Sequence, residues 1–133
     1  MDNLALFNNV AHKDALDFGR GPEFNPAKVA EWLDFDKAAV SKIASVSKSS
    51  VRYDDAAPKA VKERLEEIAD IANMVVGIFN GDVEKTALWF RVKNPLLGDI
   101  SPRDMVRLGR YDRLRKFIVN AVIENMPSKN IAA

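Results

Sequence analysis

The chain has 133 residues, 20 Lys plus Arg against 19 Asp plus Glu, and a formal net charge of +1. That length holds one ordinary domain or two small helical units, which disfavours a large enzyme, and near-neutrality provides no global field for nucleic acid or an anionic membrane. With no cysteine and one histidine, His12, a disulfide framework, a thiolate metal site and a histidine cluster are excluded.

The longest apolar run, Met74 to Phe79, falls far short of the roughly 20 residues that cross a bilayer, and the first residues, Met1-Asp2-Asn3-Leu4, lack the basic start of a signal peptide. A soluble, cytoplasmic protein with no membrane association, no metal and no cofactor is expected. Apolar residues recur at spacings of three and four and nowhere alternate, so the fold class expected is all-α.

Residues 1–24 form an arm with scattered apolar groups, among them Leu4, Phe7, Val10, Leu16 and Phe18, ending in the breaker Gly19-Arg20-Gly21-Pro22. Asn25-Pro26 is a helix start, since Asn caps free amides and Pro fits the first helical position. Val29, Trp32 and Leu33 then share one face. Asp36 caps a helix from Lys37 to Ala44, and a second short helix is expected over Ser47 to Tyr53. The polar junction Asp54-Asp55-Ala56-Ala57-Pro58 separates a head, residues 25–56, from a second unit, residues 57–133.

The longest helix is expected from about Pro58 to Asn80, with Val61, Leu65, Ile68, Ala72, Val75 and Phe79 on one face and Gly81 as its left-handed stop. Asp82 caps the next helix, which carries Trp89 and Phe90. Asn94 to Asp99 reads as a turn, and Ser101-Pro102-Arg103-Asp104 has the spacing of a capping box. Gly109 stops that helix; the last one begins at Asp112, buries Leu114, Phe117, Ile118, Ala121 and Val122, and closes at Met126-Pro127 before a tail, Ser128 to Ala133.

The head carries helix-turn-helix spacing. Counted from Lys37, the apolar fourth, small fifth, apolar tenth and apolar fifteenth positions are Val40, Ser41, Val46 and Val51. Ser45 stands where glycine usually takes the left-handed turn conformation, at a cost of about 1 kcal/mol. Between Lys37 and Tyr53 lie four bases (Lys37, Lys42, Lys48, Arg52) and no acid. Together with Ser47, Ser49, Ser50 and Tyr53 they make a hydroxyl-rich cationic set suited to phosphates and base edges. Lysines on the wet side of a helix pair are the structural alternative.

The run from Phe79 to Arg110 completes the pattern. An apolar helix ends near Phe79-Asn80-Gly81-Asp82, Ala87 and Trp89-Phe90 follow, then a turn with Asn94, Leu97 and Gly98, then Ser101-Pro102 and Gly109-Arg110. This ordered set resembles the toxin-binding domain of the Xre/MbcA/ParS family of antitoxins over Arg64 to about Phe117, with the helix-turn-helix where that family places its own. Lys93, Phe90 and Asp99 depart from the family's usual Pro, Leu and Gly, which bears on the shape of the turn.

On a helix, Trp89 and Phe90 point about 100° apart, so one enters the core while the other reaches a partner, or both are buried. Six bases (Arg103, Arg107, Arg110, Arg113, Arg115, Lys116) face two acids between Arg103 and Lys116; a solvated face is the default reading, contact with an acidic partner or DNA the alternative. The resemblance implies a non-enzymatic antitoxin of a bacterial type II pair. Its partners would be a RES-domain toxin acting on NAD and operator DNA, bound as a homodimer with half-sites about 34 Å apart. Toxin contacts would involve Trp89, Phe90, Asn94, Leu97, Arg110, Arg113, Lys129 and Asn130, with the tail as candidate plug of the NAD pocket. A free-standing regulator without a toxin is the alternative. Glu66 and Glu67 sit on a helix flank, and no catalytic residue is expected.

Overall fold

Helix starts follow from local cap chemistry. Asn25, Asp36, Asp82 and Ser101 each accept a hydrogen bond from a backbone N–H two or three residues on, at 3.1, 2.8, 2.9 and 3.1 Å, satisfying amides that the helix leaves open. The computed structural model describes residues 14–124. Its helices are α1 (Pro26–Trp32), α2 (Lys37–Ala44), α3 (Lys59–Ile78), α4 (Val83–Arg91), α5 (Pro102–Arg107) and α6 (Tyr111–Glu124). Single 3-10 turns occupy Gly21–Glu23, Lys48–Ser50 and Pro95–Leu97. The fold is all-α, as the periodicity predicts; the described residues hold no strand, only an isolated antiparallel bridge between Asn94 and Ile100.

Four helices end the same way. Asp34, Ser45, Asn80 and Gly109 each take the left-handed conformation (φ 55°, 56°, 56° and 81°). The next amide then reaches back five residues: Phe35 to the Ala30 carbonyl, Val46 to Ser41, Gly81 to Val76 and Arg110 to Met105, at 2.8, 3.0, 2.9 and 2.7 Å. This Schellman closure satisfies carbonyls the helix leaves orphaned. The stop expected at Gly81 begins one residue earlier, at Asn80, which tolerates this region better than most side chains.

α3 is the axis, packed against α6, α1, α2 and α4. Val61, Leu65, Ile68, Ala72 and Val75 are fully buried as expected, and Phe79 lies half-buried against the same core. Ile71 through Val76 are buried without interruption, because neighbours surround that part of the helix on every side. Phe18, Val29, Leu33, Val40, Val51, Phe90 and Leu114 belong to one core cluster with these residues, so the chain before and after the Asp54–Pro58 junction shares one interior. Edge-to-face contacts run Phe18–Trp32, Trp32–Phe90 and Phe90–Trp89 at 5.9, 5.1 and 5.2 Å.

Two arginines tie α4 and α5 to the end of α1. Arg91 donates from Nη2 to the Trp32 carbonyl at 2.6 Å; Arg103 donates to the carbonyls of Leu33 and Asp34 and lies over the Phe35 ring. Cations at a helix C-terminus also oppose its dipole. Of the arm, Leu4, Phe7 and Val10 lie outside the described residues. Asn73, 6% exposed on α3, accepts from the Leu16 amide at 3.0 Å and donates to Asp14, whose carboxylate in turn takes the amides of Phe18 and Gly19.

The second head helix expected over Ser47 to Tyr53 does not form. Lys48–Ser50 is one 3-10 turn, and Val51 continues extended into the core with 2% exposure. The hydroxyls explain this: Ser47 Oγ lies 2.6 Å from Ser50 Oγ and 3.3 Å from Ser49 Oγ, and serine is a poor interior helix residue because its side chain offers competing hydrogen bonds. Of the capping box only the Ser101 half forms; the Asp104 carboxylate turns to Arg107 and Arg103.

Candidate functional site

The first surface is the head. Lys37 and Lys42 stand exposed on α2, and Lys48, Ser47 and Ser49 stand exposed on the following turn. The left-handed Ser45 sets the angle between the two segments. Among the described residues Lys37, Lys42 and Lys48 enter no salt bridge. Arg52 differs, because both oxygens of Asp54 hold its guanidinium at 2.7 and 2.5 Å. That pair lowers the Asp54 carboxyl below its usual range and raises Arg52 further. Tyr53 is half-buried; burial first, then the charge of Asp36, pushes its phenol up. The expected set thus divides into three open lysines with a serine cluster, one paired arginine and one packing tyrosine.

The second region comprises α4, the Asn94 turn and α6, with α5 packed against both helices. Asn94 organises the turn: its side chain accepts from the Leu96 amide at 2.9 Å, its carbonyl accepts from Leu97 and Asp99, and its amide donates to Ile100. Gly98, at φ 86°, closes the turn. The result holds Leu96 outward with 78% of its surface exposed.

Leu97 lies at the edge of a groove of about 300 Å³. Leu96, Met105 and Phe117 also line it, with Arg113 and Lys116 at its rim. Arg113, Lys116 and Phe117 share one face of α6, at i, i+3 and i+4, while Leu114 and Ile118 point inward.

Of the residues expected to meet a protein partner, Leu97 and Arg113 come together here, and Arg110 is exposed at the start of α6. Phe90 is 1% exposed and belongs to the core, which settles the adjacent pair: Trp89, half-buried, is the one with accessible surface. Asn94 shapes the backbone. Lys129, Asn130 and the rest of the tail lie outside the described residues.

Leu88, Val92 and Leu96 are the apolar residues that sequence reasoning passed over. They are 61%, 43% and 78% exposed; because α4 ends at Arg91 and Leu96 lies in the turn beyond it, no helical spacing marks the three in the sequence. Among the described residues no helix is long and apolar enough to cross a membrane. Compared with family models, curated proteins and solved structures, the chain matches none.

Proposed function

We propose that this protein is an antitoxin-type regulator that binds and silences a partner protein through the surface of α4, the Asn94 turn and α6, and contacts operator DNA through its cationic head. One observation carries this reading. The exposed large apolar side chains of the described residues, Val83, Leu88, Val92, Leu96 and Leu108, all fall between residues 83 and 108, inside the stretch that resembles an antitoxin's toxin-binding domain. Their concentration in one stretch of the sequence supports an interaction role, which exposed side chains scattered singly along the chain would not.

The partner expected from the resemblance is a RES-type enzyme acting on NAD, encoded beside this chain. The head's contribution is electrostatic: Lys37, Lys42 and Lys48 neutralise phosphates, and the hydroxyls of Ser47 and Ser49 supply further hydrogen bonds. A single turn in place of a second helix narrows the contact, and a dimer would double it.

The test is co-expression with the product of the adjacent gene, co-purification, and an assay of NAD consumption with and without this chain. A stable complex with suppressed NAD loss is expected, and Leu88→Asp with Leu96→Asp should break it. A chain that captures no adjacent product yet binds its own promoter would be a free-standing regulator, and the antitoxin reading would fall.

A further inference from the structure

We infer that the groove between the Asn94 turn and α6 takes an acidic, amphipathic segment of a partner protein, with an apolar side chain on its floor and carboxylates against Arg113 and Lys116. This deepens the partner-binding reading of the same surface and rests on it.

The floor and the rim make different demands. Met105, 1% exposed, belongs to the core and makes the base rigid, and Leu97 and Phe117 form half-buried walls. Leu96 stands at the mouth with 78% of its surface exposed, on a backbone whose amide Asn94 holds. An occupant must therefore bring apolar surface. The rim is cationic on one side: Arg113 and Lys116 line the groove, and neither is in a salt bridge among the described residues. Asp104, the acid beside Met105, is already engaged by Arg103 and Arg107. Charge complementarity thus selects an occupant with carboxylates flanking its anchor, since a basic segment would face unpaired cations. A volume of about 300 Å³ suits one large side chain, the scale of a single anchor at the centre of an interface.

The experiment is selection of a random peptide library on the full chain, with binding of the selected peptides measured by fluorescence anisotropy. Selected sequences should combine Leu, Phe or Trp with flanking Asp or Glu. Arg113→Glu with Lys116→Glu should weaken them at least tenfold, and so should Leu96→Ser, an exposed change that leaves the core untouched. Circular dichroism checks that each variant remains folded. Selection of basic or uncharged peptides, binding indifferent to these substitutions, or sedimentation showing a dimer abolished by Leu96→Ser would each overturn the inference, the last in favour of a second copy of this chain. Should acidic peptides bind here while no adjacent product co-purifies, the groove assignment stands and the antitoxin reading fails. Should the adjacent product bind equally well to the Arg113→Glu, Lys116→Glu variant, the reverse holds.

Discussion

Asp54 grips Arg52 through both carboxylate oxygens, at 2.7 and 2.5 Å, one residue past the acid-free stretch from Lys37 to Tyr53 that carries four cations. The pair lies at the surface, with side chains 56% and 57% exposed, so it contributes little to folding. Its consequence is for the head's charge. Arg52 must leave Asp54 to meet a phosphate, and Asp54 would stand close to any DNA that arrived. Asp54→Asn should therefore tighten operator binding several-fold and steepen the logarithmic salt dependence by about 0.9 per head, one further phosphate neutralised. With Lys37, Lys42 and Lys48 open in the head, the proposed operator complex of two unmodified chains should show a slope near −5, at about −0.9 per phosphate. Anisotropy of labelled operator DNA across a potassium chloride series measures both slopes. An Asp54→Asn slope equal to the wild-type slope would leave Arg52 out of the contact.

The two tyrosines of the chain, Tyr53 and Tyr111, should both resist ionisation in the folded protein, Tyr111 the more strongly. Burial is the leading cause at each, and at Tyr111 the neighbouring Glu67 charge adds to it. The Tyr111 hydroxyl also donates to the Glu67 carbonyl at 3.2 Å, beneath the guanidinium of Arg64. For a group whose folded pKa is raised, the stabilising contribution is complete below the unfolded value, about 10 for tyrosine, and is lost as pH rises through the folded value. Alkaline titration followed by tyrosinate absorbance should show Tyr53 ionising first and Tyr111 only together with loss of helical circular dichroism. A single early transition accounting for both phenols would contradict the buried position of Tyr111.

Sequence legibility followed the range of the interaction. Asn25, Asp36, Asp82 and Ser101 were readable as caps because each bonds an amide two or three residues away. The α3 face was readable because its period repeats over the whole helix. The second head helix is not legible from its motif spacing, because Ser47, Ser49 and Ser50 oppose a seven-residue helix, a length that local propensity alone cannot sustain. What no local pattern announces is Arg91 and Arg103 reaching the end of α1, or Asn73 holding Leu16, since those contacts join residues 57 to 70 positions apart. The groove is of the same kind: Leu97 and Arg113 were each singled out, but only the packing of α5 against α6 brings the turn beside Phe117 and Lys116.

Gly19 and Gly109 both have positive φ, 86° and 81°, but they should respond differently to alanine. A Cβ on Gly109 meets nothing within 4 Å, so Gly109→Ala should cost about 1 kcal/mol, the left-handed penalty alone. A Cβ on Gly19 would sit 2.2 Å from the Glu23 carbonyl oxygen. That oxygen is backbone, so the arm must shift and its bonds to Asp14 must weaken; a loss of about 2–3 kcal/mol is expected. Urea denaturation of the two variants decides the ordering. Equal losses would mean that the arm around Gly19 yields at no cost.

The three left-handed helix ends lacking glycine should gain from it unequally. At Ser45 the native backbone, φ 56° and ψ 44°, costs an ordinary L-residue about 1–2 kcal/mol, while glycine adds unfolded-chain entropy worth about 0.4–1 kcal/mol against folding. The difference leaves Ser45→Gly more stable by about 0.5–1 kcal/mol, a few degrees in Tm for a chain of this size. Asp34 and Asn80 carry short polar side chains that tolerate the same region by bonding locally, so Asp34→Gly and Asn80→Gly should gain less and fall near zero. Thermal unfolding of the three variants should rank Ser45→Gly first. The Ser45 variant should also keep its affinity for operator DNA, because the closure from Val46 to the Ser41 carbonyl, which sets the path into the Ser47 turn, is a backbone bond that glycine preserves. Lost DNA binding with unchanged stability would instead place the Ser45 side chain in the contact.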